Sequence, residues 1–134
     1  MTQAVHLRPE SAGIWSDLGN AYSRSGQINE AVQCLEKSLQ LGPKNAQTHY
    51  NLGVALAIAG RTSDAIAHYQ EAVQIRPDYA DAYNNLGMIF AAQGMMEKAI
   101  TSFSAAVRIK PDFAEARQSL ELALSIQRRR SRKP

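Results

Sequence analysis

The sequence holds very little of what catalytic sites and small secreted domains are built from. Cys34 is the one cysteine in 134 residues, so no disulfide can close within the chain, and a reducing, cytoplasmic setting is the default expectation. The three histidines, His6, His49 and His68, show no ligand pair at helix or zinc-finger spacing, so no metal is expected. Its eight glycines fall singly, which excludes a glycine-rich phosphate loop. No serine–histidine–acid or cysteine–histidine arrangement stands out, so no catalytic residue is assigned, no cofactor is expected, and the chain reads as a non-enzyme. Long apolar runs are missing too, which leaves neither a signal peptide nor a membrane span in this chain.

What is present suits a folded body. Hydrophobic residues make up 45% and charged residues 20%, enough of both to bury a core and keep it in water. The net charge of +3 is concentrated at one end, where Arg128, Arg129, Arg130, Arg132 and Lys133 supply five of the 15 basic residues. Without them ten bases face 12 acids, so the body is slightly acidic and the basic character belongs to a tail, 128–134, expected to be disordered. Such a tail can meet nucleic acid, an anionic membrane or an import receptor. The body adds no basic patch with stacking aromatics, so nucleic acid is not an expected partner.

The strongest pattern is a period. Leu18-Gly19, Leu52-Gly53 and Leu86-Gly87 recur at one spacing, as do Gly26, Gly60 and Gly94; Ala31, Ala65 and Ala99; and Pro9, Pro43, Pro77 and Pro111. Every step is about 34 residues, the length of one helix–turn–helix repeat unit. Apolar residues at helical spacing (Ile14, Trp15, Leu18, Ala21 and Tyr22, then Ile28, Ala31, Val32, Leu35 and Leu39) give two helices per unit. The single glycines end first helices in the left-handed conformation, and the prolines stop second helices. Gly19, Gly53 and Gly87 are expected where two helices cross closely. In this plan the histidines lie far apart, and Cys34 matches His68 one unit on, about 10 Å away across stacked helices.

The pattern resembles the tetratricopeptide repeat family over nearly the whole chain, with its signature standing as Trp15, Leu18, Gly19 and Tyr22. His49 replaces the aromatic residue, Leu56 the tyrosine, and Ser38 the second alanine of the first unit. The segment AYNNLG is similar to repeats of O-linked N-acetylglucosamine transferase. The resemblance implies an all-α, right-handed superhelical solenoid of three helix pairs (10–45, 46–79 and 80–111), a capping helix at 112–127, and a remnant of a preceding helix at 1–9. It also implies a protein-interaction scaffold that binds an extended peptide or partner helix in a concave groove.

Carried over from the family, the groove positions hold Asn20 and Arg24 in the first unit, Tyr50, Asn51, Val54 and Ile58 in the second, Asn84, Asn85 and Met88 in the third, and Leu122 and Ile126 in the cap. A side-chain amide offers donor and acceptor together and can hold a peptide backbone without reading its sequence. Asn51 and Asn85 occupy equivalent positions and are expected to form a ladder. The cations with which chaperone-binding members clamp an acidic C-terminus are replaced by Ser16, Asp81 and Asn85, so such tails are not expected to bind. Two other readings stand beside the scaffold. One is self-assembly (a homo-oligomer) through an open N-terminal end that leaves Ile14, Trp15 and Leu18 partly uncovered. The other is the substrate-presenting segment of a larger enzyme or membrane protein, such as a glycosyltransferase.

Overall fold

The computed structural model describes residues 11–132, so the expected remnant at 1–9 and the last two residues lie outside the described residues. Seven helices and no strand occupy this range. They fall into two compact units that meet in sequence between Arg76 and Pro77. The first contains α1 (Ala12–Arg24), α2 (Ile28–Leu41), α3 (Ala46–Ile58) and α4 (Thr62–Ile75). The second contains α5 (Ala80–Ala92), α6 (Met96–Ile109) and α7 (Ala114–Ser131). Within each unit, consecutive helices pack as antiparallel hairpins.

Local chemistry sets the helix ends. Ser11 Oγ accepts from the Ile14 N–H at 3.4 Å, and Asn45 Oδ1 accepts from the Thr48 N–H at 3.1 Å. Each cap satisfies a backbone donor that the helix itself cannot. At the other end, Gly26, Gly60 and Gly94 take φ of 82°, 83° and 78°, values that an L side chain rarely adopts. Gln27, Arg61 and Met95 then donate back to Tyr22, Leu56 and Phe90 carbonyls, each at 2.9 Å, closing the Schellman turn that reverses the chain into the next helix.

Each hairpin is held by a glycine against a large side chain. A Cβ at Gly19 would stand 2.7 Å from Leu35 Cγ, one at Gly53 2.7 Å from Tyr69 Cε1, and one at Gly87 2.6 Å from Phe103 Cε1. Leu35, Tyr69 and Phe103 are buried, as are the alanines Ala31, Ala65 and Ala99 one turn earlier on the same second helices. Each large side chain so buried contributes about 1.5–3 kcal/mol. Leu18, expected to be partly uncovered, is buried with only 8% of its surface exposed, because its slot faces the interior of its own hairpin, as Leu52 and Leu86 do. Ser38 has a structural reason as well: its buried hydroxyl donates to the Ala12 carbonyl at 2.8 Å and ties α2 to the start of α1.

One expected boundary moves. The last helix does not end at residue 127 but runs to Ser131 and takes in Arg128, Arg129 and Arg130. Arginine is a good helix former, and cations are favoured in the last turn, where the helix dipole is negative. These arginines therefore extend α7, where a disordered tail was expected.

Gly53→Ala tests the crossing. Alanine raises helix propensity by about 1 kcal/mol, but its methyl group must displace a fully buried ring, and overpacking costs about 1–3 kcal/mol. The expected net result is a lower midpoint of urea unfolding. A midpoint raised above wild type would show that the glycine is not there for packing.

Candidate functional site

The expected binding residues lie on the first helices of the hairpins and on the last helix, and most of them fall on two different surfaces. In the first unit an open depression of about 420 Å³ is lined by Asn20, Ser23, Arg24, Gln47, Tyr50, Asn51 and Val54, from α1 and α3. The Asn51 amide donates to Asn20 Oδ1 at 3.1 Å and links the two helices across it. Tyr50 tilts against Tyr69, with ring centroids 5.7 Å apart and planes at 50°, a favourable aromatic geometry. Tyr69 is the ring that fills the space beside Gly53, so the packing that forms the hairpin also braces the aromatic wall of the depression. Ile58 lies one turn beyond Val54, 64% exposed, and is not among the lining residues.

In the second unit a smaller depression of about 280 Å³ lies between α5, α6 and α7. Met88 and Leu122 flank it, 47% and 62% exposed, and Met96 and Phe103 form part of its lining. Asn84, expected on a binding face, is instead buried at 2% exposure. Its amide is drawn toward Glu115 Oε1 at 3.3 Å and the Met88 sulfur at 3.7 Å, while its Oδ1 is buried without a protein partner. The reason is size: the slot that Tyr50 fills with a long side chain holds a short one here, which stays below the surface and joins α5 to α7. Asn85 is half-buried on α5 and lines neither depression.

The expectation that the histidines lie far apart fails for two of them. His49 Nδ1 and His68 Nδ1 are 3.0 Å apart, and His49 Nε2 is 2.8 Å from the Pro43 carbonyl. The carbonyl can only accept, so His49 carries its proton on Nε2 and its Nδ1 accepts from the His68 Nδ1–H. The ring centroids are 5.3 Å apart, which is the nitrogen–nitrogen distance plus one ring radius on each side. The two lone-pair directions are therefore nearly collinear, the geometry of a hydrogen bond and not of two ligands converging on one metal. No cluster of three or more metal-ligating side chains is found among the described residues. The signal was in the period: His49 occupies the first-helix slot of Trp15 and Tyr83, His68 the second-helix slot of Cys34 and Ser102, and the two slots face each other within one hairpin. Cys34 is buried, and burial, with Glu30 nearby, pushes its thiol pKa up, away from reactivity.

Taken together, these features define the class: an all-α helical-repeat solenoid. Residues 16–80 match one profile of the tetratricopeptide repeat and residues 56–124 match another. The chain belongs to the tetratricopeptide repeat family. It is similar to the crystal structure of MamA, with 31% identity and a TM-score of 0.90 over 94% of this chain and 74% of that one. The first TPR of Spaghetti (RPAP3), solved with an HSP90 peptide, shares the fold at 23% identity and a TM-score of 0.83, covering 87% of this chain and 93% of that one. The Arabidopsis OM64 TPR domain does so at 20% identity and a TM-score of 0.80, covering 84% and 93%. Comparison with curated protein sequences finds no match. No described helix is long and apolar enough to cross a membrane.

His68 is expected to make the first unit sensitive to acid. Burial, and after it the neighbouring His49, lowers the His68 pKa below its ordinary 6.5, against the opposing pull of Glu36 on α2 and of Asp64 and Glu71 on α4. A histidine held below its unfolded-state pKa binds fewer protons folded than unfolded, so acid favours unfolding. Stability is therefore fully present above pH 6.5 and falls as the pH drops through 6.5 toward the lowered folded value. Urea titrations across this range should show that fall, and His68→Ser, which installs the residue of the next unit's slot, should flatten it. Equal slopes for the two proteins would remove His68 as the cause.

Proposed function

We propose that the chain is a non-enzymatic protein-interaction scaffold that holds an extended peptide segment against the depression between α1 and α3. The supporting observation is convergence. Asn20, Arg24, Tyr50, Asn51 and Val54, which come from two helices, line one open surface. An extended peptide brings unpaired backbone N–H and C=O groups that must be satisfied on binding. The Asn20–Asn51 bond uses one Asn51 N–H and one Asn20 oxygen lone pair, which leaves the Asn51 oxygen and Asn20 N–H groups to meet such a backbone. Tyr50 and Val54 add an apolar wall, and Arg24 is an exposed cation at the edge.

The fold is known to hold a peptide in the RPAP3 domain, which supports peptide binding as the use of this surface. The ligand class differs, however. Ser16 stands where the clamping members carry a cation, and its hydroxyl is engaged with the Gly13 carbonyl at 3.0 Å. An internal segment with an uncharged backbone fits this surface better than a free acidic C-terminus, whose charge would be left poorly compensated.

Selection from a random-peptide phage library with the wild-type protein as bait supplies a ligand for the test. Replacing Asn20 and Asn51 together by alanine removes the amide pair without leaving either member unpaired. Affinity for the selected peptides should fall by roughly tenfold, the loss of about one to two hydrogen bonds, with thermal unfolding nearly unchanged. Selected peptides that bind the double variant as tightly as wild type would count against this surface.

A further inference from the structure

We propose that the depression between α5, α6 and α7 is a docking site for an acidic amphipathic helix of a partner protein, lying antiparallel to α7. The inference deepens the scaffold reading and rests on it, but it concerns a separate surface with a different chemistry. The depression between α1 and α3 is rich in amide and hydroxyl groups, whereas this one is lined by Met88, Met96, Phe103, Leu122 and Ile126, with the Ser119 hydroxyl as its main polar group. Such a lining offers almost nothing to the unpaired backbone of an extended peptide. A helix satisfies its own backbone and presents only side chains, so it can enter an apolar groove without that desolvation cost.

The shape of α7 sets the axis. Ser119, Leu122, Ile126 and Arg129 or Arg130 stand three or four residues apart, on one stripe of an 18-residue helix, the ridge that a second helix packs along. Methionines at Met88 and Met96 suit a groove that must adapt to a partner's side chains. A further helix of the repeat would not fill this space. In this fold the second helix of a hairpin crosses the first at the glycine slot, where Gly87 meets Phe103. The corresponding residue of α7 is Glu121, on a different face from Leu122 and Ile126.

Charge sets the direction. The stripe ends in arginines at the C-terminus of α7, and Arg128, Arg129, Arg130 and Arg132 are all exposed. Acidic residues are favoured in the first turn of a helix. A partner helix whose acidic N-terminal turn lies beside Arg129 and Arg130 therefore runs antiparallel to α7, and its leucine-type residues at i, i+3 and i+4 fall on the methionine- and leucine-lined depression. Nucleic acid could use the arginines but not the groove. Phe103 is 2% exposed, so it offers no face for a base to stack on, and the other lining residues are aliphatic or methionine.

The test uses the whole chain and two fluorescein-labelled, end-capped model helices that share one leucine stripe, the first with glutamates in its first turn and the second with lysines there. The glutamate peptide should bind and gain helicity by circular dichroism, and the lysine peptide should bind at least roughly fivefold more weakly, as steering by two cations implies. Leu122→Ser should weaken the glutamate peptide. Arg129→Glu with Arg130→Glu should reverse the preference, so that the lysine peptide binds more tightly. All three positions are exposed, and unchanged melting curves confirm that the variants fold. Equal binding of both peptides, binding without helicity gain, indifference to Leu122→Ser, or a duplex DNA that competes as well as the peptide would each overturn the proposal. Asn20→Ala with Asn51→Ala serves as the control and should leave this binding unchanged. If the peptide fails while library-selected ligands still depend on Asn20 and Asn51, only this inference falls and the scaffold reading stands.

Discussion

The structure depends on one repeated steric constraint. In each hairpin a glycine on the first helix lets a large side chain of the second lie directly on its backbone, at Gly19 with Leu35, Gly53 with Tyr69 and Gly87 with Phe103. No other residue fits without moving a buried group. The crossing fixes how close and at what angle the helices meet, so it also fixes which residues are left over on the outer stripe. The Schellman turns at Gly26, Gly60 and Gly94 only need to return the chain, and a Cβ there would meet nothing within 4 Å. Two glycine columns thus share an identity for unrelated reasons, one for space and one for φ.

The same contact reaches into the candidate sites. Tyr69 fills the space beside Gly53 and its other side meets Tyr50, a wall of the polar depression. Phe103 lies against Gly87 and lines the apolar depression beside Met96. The helix crossing and the lining of a depression are therefore opposite sides of one side chain. Substitutions at these buried rings would disturb both, whereas Asn20, Asn51, Leu122 and the arginines can change with little cost to the fold. That separation lets a repeat keep its frame while its surfaces diverge, here into one depression that offers amides and one that offers methionine and leucine.

Much of this was legible in the sequence, and what was missed has a common cause. The period exposes the positions that every unit must satisfy, so the helix pairs, the crossing glycines and the turn glycines could be read directly. It carries less information about what a particular side chain does with its neighbours. Asn84 occupies the same slot as Tyr50, yet it is short enough to sink to 2% exposure and bond Glu115. Asn51 stays at the surface and spends one N–H on Asn20. A period relates residues along a column, where repeats are separated by a helix diameter, and is silent about contacts across the hairpin, where the slots of His49 and His68 meet. Composition marks the arginines as a charged tail, but it does not record that a helix already under way welcomes cations at its end.

The His49–His68 pair shows what variation at an inward slot can do when the frame is held constant. The next repeat has Tyr83 and Ser102 in the slots that His49 and His68 fill in this hairpin. The two imidazoles share one hydrogen bond whose proton count is fixed: one N–H between two nitrogens, with the second ring nitrogen of His49 already committed to Pro43. One added proton can be accommodated by exchanging donor and acceptor along the same line. A second places two N–H groups head to head at 3.0 Å, an arrangement that must open. The hairpin α3–α4 also carries Tyr50, Asn51 and Val54 on its outward stripe. Two residues that do not line the polar depression thus tie the hairpin beneath it to the protonation of His68, whose pKa burial lowers.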